Sequence, residues 1–274
     1  MYFLDFAKNL FRKTNVGLIV YLILNLGLLF VMFGSEDPRG IPMVIVIYMI
    51  SLIVALSPAG EALLRWQTKS KKISDDSISS RIDPLFREVY KKAITVDQRL
   101  SKNIEIFINS DPSPNAFAVG RNTICINEGL LQLPDREILA ILAHEFGHLS
   151  NKDTDALLVV SVGNMLVTGL LLFFKALFRF AELFLGKDGI AAGLGYVFIS
   201  LFMYMWTKLG IILINFSGRQ CEYEADKFAS KLGYGAALAE SLNRISSTKP
   251  KDGFLKAIMS SHPDSGLRVA ALLG

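Results

Sequence analysis

Four apolar runs constrain this chain more than any other feature. Residues 16–33 and 41–57 contain no charged side chain, 156–174 are interrupted only by Ser161, Asn164 and Thr168, and 190–206 end in Tyr204 and Trp206. A helix crossing the hydrocarbon core of a bilayer needs about 20 predominantly apolar residues. Each run approaches that length, and Tyr and Trp suit the water–lipid boundary. Apolar character resumes after Lys208 through residues 210–216, so the last helix is expected to continue past the bilayer surface. The first run is not read as a cleaved signal, because no small-residue cleavage site follows it and residues 33–38 read as a turn.

Lys and Arg set the orientation. Lys8, Arg12 and Lys13 precede the first run, the short connector to the second has only Arg39, and Arg65, Lys69, Lys71, Lys72 and Arg81 follow the second. The bias of basic residues toward the cytoplasmic side puts the N-terminus and the segment after residue 60 in the cytoplasm. Between runs three and four, Lys175, Arg179 and Lys187 stand against Glu182 and Asp188, and 173–184 is expected to lie along the interface. Charged residues make up 20% of the chain, against about 25% in soluble domains. A net charge of +4, scattered along the chain, does not point to nucleic acid. Cys125 and Cys221 cannot build a disulfide framework and are expected as free thiols in a reducing compartment.

Between and after these runs the pattern is that of a soluble domain, mainly α with a small antiparallel β-sheet. Residues 59–80 read as a linker and 84–100 as a helix with Pro84 near its start. Residues 103–109 read as a strand, and 115–119 and 123–127 as strands joined by Gly120-Arg121-Asn122. Residues 134–149 form a helix with Asp135 and Glu137 in its first turn, and 217–274 give two or three helices. The organisation expected is a cytoplasmic segment 1–15, a transmembrane hairpin 16–58, a first soluble part 59–155, a second transmembrane hairpin 156–216 and a second soluble part 217–274.

The helix at 134–149 contains His144-Glu145-Phe146-Gly147-His148. Two histidines four apart stand one turn above each other on one helical face, so both imidazoles reach one ion. Glu145 projects near the same ion and can take a proton from water there. Zinc is redox-inert and bound by imidazole and carboxylate, which makes it the natural metal. With three His and eleven Glu in the chain, chance gives this pattern about once in a thousand such sequences.

A catalytic zinc site takes a third protein ligand. In the helical segment 219–226, Glu222 and Asp226 share a face by their spacing of four. Glu222 is the candidate ligand, Asp226 a candidate partner for the far ring nitrogen of a ligand histidine, and Glu224 a solvated side chain. Two apolar runs separate His148 from Glu222. An even number of crossings returns the chain to the same side, so the ligand reading and the topology agree.

These features resemble the membrane-integrated zinc metallopeptidases of the HtpX heat-shock protease type, relatives of the CAAX prenyl proteases. The resemblance runs through the two N-terminal spans, Pro114-Asn115-Ala116-Phe117-Ala118-Val119-Gly120-Arg121, the helix with H-E-F-G-H, two further spans, Arg219-x-x-Glu222-Tyr223-x-Ala225-Asp226, and Ser261-His262-Pro263 with Arg268. It implies a zincin-like protease domain fused to a four-helix transmembrane part. It also implies zinc on His144, His148 and Glu222, with Glu145 as general base and proton donor. Asn115, Ala116 and Phe117 would form the strand along which substrate pairs, and His262 would stabilise the oxyanion. Asp153 would support the site from behind the ligands, and Arg268 would be structural. The chain departs from the family in a less basic run, Gly218-Arg219-Gln220-Cys221, before the third ligand; Cys221 is off the ligand face.

The expected activity is hydrolysis of peptide bonds in membrane or membrane-associated proteins, misfolded membrane proteins above all, at the bacterial inner membrane and in quality control or stress response. The alternatives are a CAAX-type processing protease and an inactive zinc-binding membrane scaffold. Substrate identity and oligomeric state are not legible in the sequence.

Overall fold

The fold is given by a computed structural model that describes residues 2–12, 15–33, 40–163, 165–185, 190–245 and 265–273. A short amphipathic helix, α1 (Tyr2–Asn9), precedes the first apolar helices, α2 (Val16–Phe33) and α3 (Gly40–Ala55). The chain then bends. Ser57 caps a new helix by accepting from the Gly60 N–H at 3.4 Å, with Pro58 in its first turn, and α4 (Pro58–Gln67) leaves α3 at 76°.

The expected linker at 59–80 is instead largely structured. It contains α4, the short strand β1 (Lys71–Lys72) and the start of α5 (Asp76–Val96). Asp75 starts α5 by accepting from the N–H groups of Ser77 and Ile78, so the helix begins ahead of Pro84, which lies in its interior. The cap outweighs the proline as the starting signal.

Three more strands follow, β2 (Glu105–Asn109), β3 (Ala116–Val119) and β4 (Thr123–Asn127), in the order β1-β2-β4-β3. The β3–β4 hairpin is antiparallel as expected, with Phe117 opposite Cys125 and Gly120 at φ +56° in its turn. The sheet as a whole is mixed, not antiparallel, because β2 pairs with β4 in parallel. The hairpin occupies one edge of β4, and the other receives β2 running the same way.

Alternation along the strands divides the sheet between two apolar layers. Ala116, Ala118, Ile124 and Ile126 pack with Val89, Ala93, Ile138, Leu142 and Phe146 of the soluble helices. Phe107, Phe117, Val119 and Cys125 pack on the opposite side with Leu52, Ala55, Leu64, Leu158 and Val160, among the apolar helices. The sheet therefore rests directly on the apolar part of the molecule.

A 3-10 turn (Glu128–Gln132) leads into α6 (Asp135–Asn151), which ends at Lys152 in a left-handed cap with φ 65°. After α7 (Thr154–Leu158) and a π-helical turn (Val159–Gly163) comes α8 (Met165–Leu185), so the third apolar run is irregular at its start and the stretch expected along the interface is helical. α9 (Ile190–Lys231) is one unbroken helix of 42 residues, with no break at 216. α10 (Gly235–Ile245) and α11 (Ser265–Leu273) complete the described chain.

α2 packs on α3 and α9, and α8 packs on α9. Inside, the buried Asn25 donates to the Tyr21 carbonyl at 3.0 Å and accepts from Trp206 Nε1 at 3.3 Å. Among the described residues, the stretch Thr154–Ala181 is long and apolar enough to cross a membrane, and Ile41–Ala55 with Pro58–Gln67 qualifies only as a bent pair. Val16–Met32 is apolar but shorter. On these lengths one or two spans are seen among the described residues, and the expected four are not shown.

Candidate metal centre

Helix α6 presents His144 and His148 one turn apart, with rings edge to face and Nε2 atoms 3.1 Å apart. α9 crosses α6 and brings the Glu222 carboxylate to both. Its Oε2 lies 3.4 Å from His144 Nε2 and its Oε1 lies 3.5 Å from His148 Nε2. One ligand atom from each of the three residues falls within 4.8 Å of the others.

The far sides of both rings are anchored. His144 Nδ1 is 2.9 Å from Asp226 Oδ1, one helical turn after Glu222, and His148 Nδ1 is 3.3 Å from Asp153 Oδ2, just past the end of α6. Such contacts fix the tautomer with the proton on Nδ1, leaving the Nε2 lone pairs directed at the shared point. Arg268 from α11 grips Asp226 with Nε at 2.7 Å and Nη2 at 2.6 Å, and its Nη1 is 2.8 Å from Glu222 Oε2. Its side chain is 1% exposed.

Glu145 is buried, and its Oε2 accepts the Ala118 N–H from β3 at 2.7 Å. The register explains why that N–H is available. Asn127 N–H bonds to the Asn115 carbonyl, so residues 115, 117 and 119 face β4 while the backbone groups of Ala116 and Ala118 face the outer edge.

The electrostatics favour a cation. Glu145, Glu222 and Asp226 gather around Arg268, and Asp153 stands at the far side of His148. Burial opposes a charged imidazolium at His144, but hydrogen bonds to Asp226 and Glu222 outweigh it and raise its pKa; burial likewise opposes charge at His148, which Asp153 and Glu222 raise well above the usual range. Burial would raise Asp226, yet Arg268 and His144 bring it down to about 2. Two imidazoles and a carboxylate, each imidazole backed by a second carboxylate, form a donor set that fits zinc.

The other residues singled out in the sequence fall variously. Ala116 and Phe117 lie in β3, an edge strand, and Asn115 immediately precedes it. Glu224 bonds Gln220 along α9, away from the cluster. Cys221 is outside the ligand set; burial raises its thiol pKa and its hydrogen-bond partner is Asp153. Neither cysteine forms a disulfide. His262 lies outside the described residues. The sequence reading missed Ala118, which meets Glu145 through a backbone atom that no side-chain pattern reveals. It also underrated Arg268, whose partner lies 42 residues earlier.

A family model described as peptidase family M48 matches residues 81–274. A protease HtpX homolog from Prosthecochloris aestuarii is 32% identical over 184 residues, a match that spans 59% of this chain and 62% of that protein. A protease HtpX homolog from Janthinobacterium sp. (strain Marseille) is 29% identical over 293 residues, spanning 96% of this chain and 97% of that protein. The crystal structure of S. mikatae Ste24p overlaps 99% of this chain and 65% of its own at 22% identity and a TM-score of 0.47, too loose an overlap to place any element. With more than half of its length matched by the family model, the chain belongs to peptidase family M48.

Proposed function

We propose that this chain is an integral-membrane, zinc-dependent endopeptidase that cleaves membrane or membrane-associated proteins in protein quality control. The observation that carries the reading is the convergence of His144 Nε2, His148 Nε2 and the Glu222 carboxylate beside the buried Glu145. A structural zinc site has no use for a carboxylate between its histidines; a hydrolytic site does.

His144, His148 and Glu222 would hold the zinc, which when bound lowers the pKa of water toward about 7 and polarises a carbonyl. Glu145 takes the proton of the attacking water and passes it to the leaving amine. Asp226 and Asp153 keep the imidazoles oriented, and Arg268 keeps Asp226 and Glu222 from drifting apart. The outward backbone groups of Ala116 and the outward Ala118 carbonyl suit pairing with an extended peptide, with Asn115 and Phe117 on either side of Ala116. Every residue of β3 is buried, so that pairing requires its edge to be uncovered. His262 is the proposed oxyanion partner.

Membrane insertion is supported by the outer faces of the apolar helices. Val31, Met43, Phe173, Phe184, Phe198 and Met205 are among many exposed large apolar side chains. So many exposed apolar side chains are unsuited to water and suited to lipid. The distribution of Lys and Arg then favours a cytoplasmic site.

The deciding experiment measures metal content and casein cleavage for the wild type and Glu222→Ala in detergent. The expected result is one zinc per wild-type chain, cleavage stopped by a chelator and restored by zinc, and loss of both in the variant. Cleavage that persists after complete metal removal would overturn the proposal. Bound zinc without cleavage would favour the inactive scaffold.

A further inference from the structure

Helix α1 is fastened to the two places that set the positions of Glu145 and His148. The Tyr2 hydroxyl donates to Glu61 Oε1 at 2.7 Å and accepts from Asn122 Nδ2. Asp5 Oδ2 accepts from Arg121 Nη1 at 3.2 Å and from Lys152 Nζ at 3.1 Å. Arg121 also forks onto Asp155, at 2.7 and 3.1 Å, and its guanidinium covers the Tyr2 ring at 5.0 Å. Beyond α1, Arg12 Nη1 donates to the Asn151 carbonyl at 3.2 Å. Phe6 is buried in the apolar layer beneath the sheet.

Two lines lead from these contacts to the site. Arg121 and Asn122 form the turn that follows β3, and β3 holds Glu145 through the Ala118 N–H. Asn151, Lys152 and Asp155 bracket Asp153, the partner of His148. The corner they make depends on its surroundings, because Lys152 has φ 65°, a strained conformation for a residue with a side chain. Asp5 holds that lysine and the hairpin turn with one carboxylate.

Resting on the peptidase reading above, we propose that α1 is a strap and Asp5 a positioning residue: together they keep the α6–α7 corner and the β3–β4 turn in register, so that His148 and Glu145 face the same point. The Asp5 side chain is 37% exposed, and ion pairs of that kind add little to folding stability. Loss of the strap therefore separates from loss of the fold.

The test uses the full chain in detergent, zinc-loaded and cobalt(II)-loaded, with Asp5→Ala and Asp5→Glu. Asp5→Ala is expected to lower kcat about tenfold with KM within about twofold, short of the roughly 10²-fold that a 1 Å misplacement can cost. The visible absorption of the cobalt(II) form shifts, amides 151–155 exchange faster, and the melting temperature is nearly unchanged. Asp5→Glu restores all of these. Unchanged kcat and unchanged exchange at 151–155 in Asp5→Ala overturn the strap, as does a fall in kcat that tracks a fall in melting temperature and that Asp5→Glu fails to reverse. A wild type that cleaves nothing overturns the peptidase reading instead, and exchange at 151–155 still decides the strap.

Discussion

Gly147 lies against Ala225 with no room for a side chain: a Cβ on Gly147 would stand 2.7 Å from the Ala225 Cα and 2.9 Å from its carbonyl oxygen. Gly147 directly precedes His148, and Ala225 directly precedes Asp226. The bare glycine lets α6 and α9 close until carboxylates on one helix reach imidazoles on the other. Gly147→Ala meets backbone, which cannot rotate away, so it is expected to destabilise the chain by about 1–3 kcal/mol and to weaken metal retention. Denaturant melts and metal content after dialysis check this. Full retention of both would show that the spacing of the two helices does not govern ligand closure.

Glu145→Gln keeps an oxygen that can accept the Ala118 N–H but removes the group that accepts and returns a proton. Turnover is expected to fall about 10²–10⁴-fold while zinc stays bound. Single-turnover cleavage beside metal analysis tests it; normal turnover would assign the base elsewhere.

Arg268 is a buried cation between two carboxylates, and its removal leaves Asp226 without its main counter-charge. Arg268→Ala is expected to cost about 3–5 kcal/mol. Arg268→Lys should recover only part of that, since an ammonium cannot reproduce the paired contacts to Asp226. Urea unfolding of both variants distinguishes a bidentate clamp from a mere charge, which lysine would replace in full.

Asp97 ties the end of α5 to α6. It accepts from Arg99 Nε at 2.8 Å and Nη2 at 2.9 Å and from Ser150 Oγ at 2.6 Å, and Arg99 foremost holds its carboxyl well below the usual range. A depressed folded-state pKa contributes stability above the unfolded value, about 3.9, and that contribution is lost as pH falls toward the folded value. Asp97→Asn should therefore lower stability at pH 7 by roughly 1 kcal/mol, a modest figure because Arg99 is largely exposed. The gap between wild type and variant should narrow below about pH 4. Paired unfolding curves across that range check the sign; a gap that widens on acidification would refute it.

Local signals in the sequence were reliable where the cause was local. The H-E-F-G-H helix, the β3–β4 hairpin and the pairing of Glu222 with Asp226 all follow from spacing within one turn or one loop. The parallel pairing of β2 with β4 left no such mark, because β3 lies between them in the chain and registers across a sheet depend on contacts far apart. Residues 59–80 read as a linker because one helix of that stretch is capped just ahead of it, at Ser57, the next is capped within a polar run, at Asp75, and the edge strand between them has only two residues. The strap was invisible for the same reason: Lys8 and Arg12 read as charges that orient the chain, while Tyr2 and Asp5 gain meaning only from Glu61, Arg121 and Lys152, which lie 59 to 147 positions away.

The unbroken α9 has a mechanical consequence. From Trp206, packed among the apolar helices, to Glu222 is sixteen residues, or about 24 Å of stiff helix. A rotation of about 5° pivoting near Trp206 carries the Glu222 carboxylate roughly 2 Å, more than the misplacement that costs a reaction about 10²-fold. If the first half of that rod sits in lipid, as proposed above, its lean would follow the thickness of the surrounding bilayer, and the lever arm would deliver that variable to the Glu222 carboxylate.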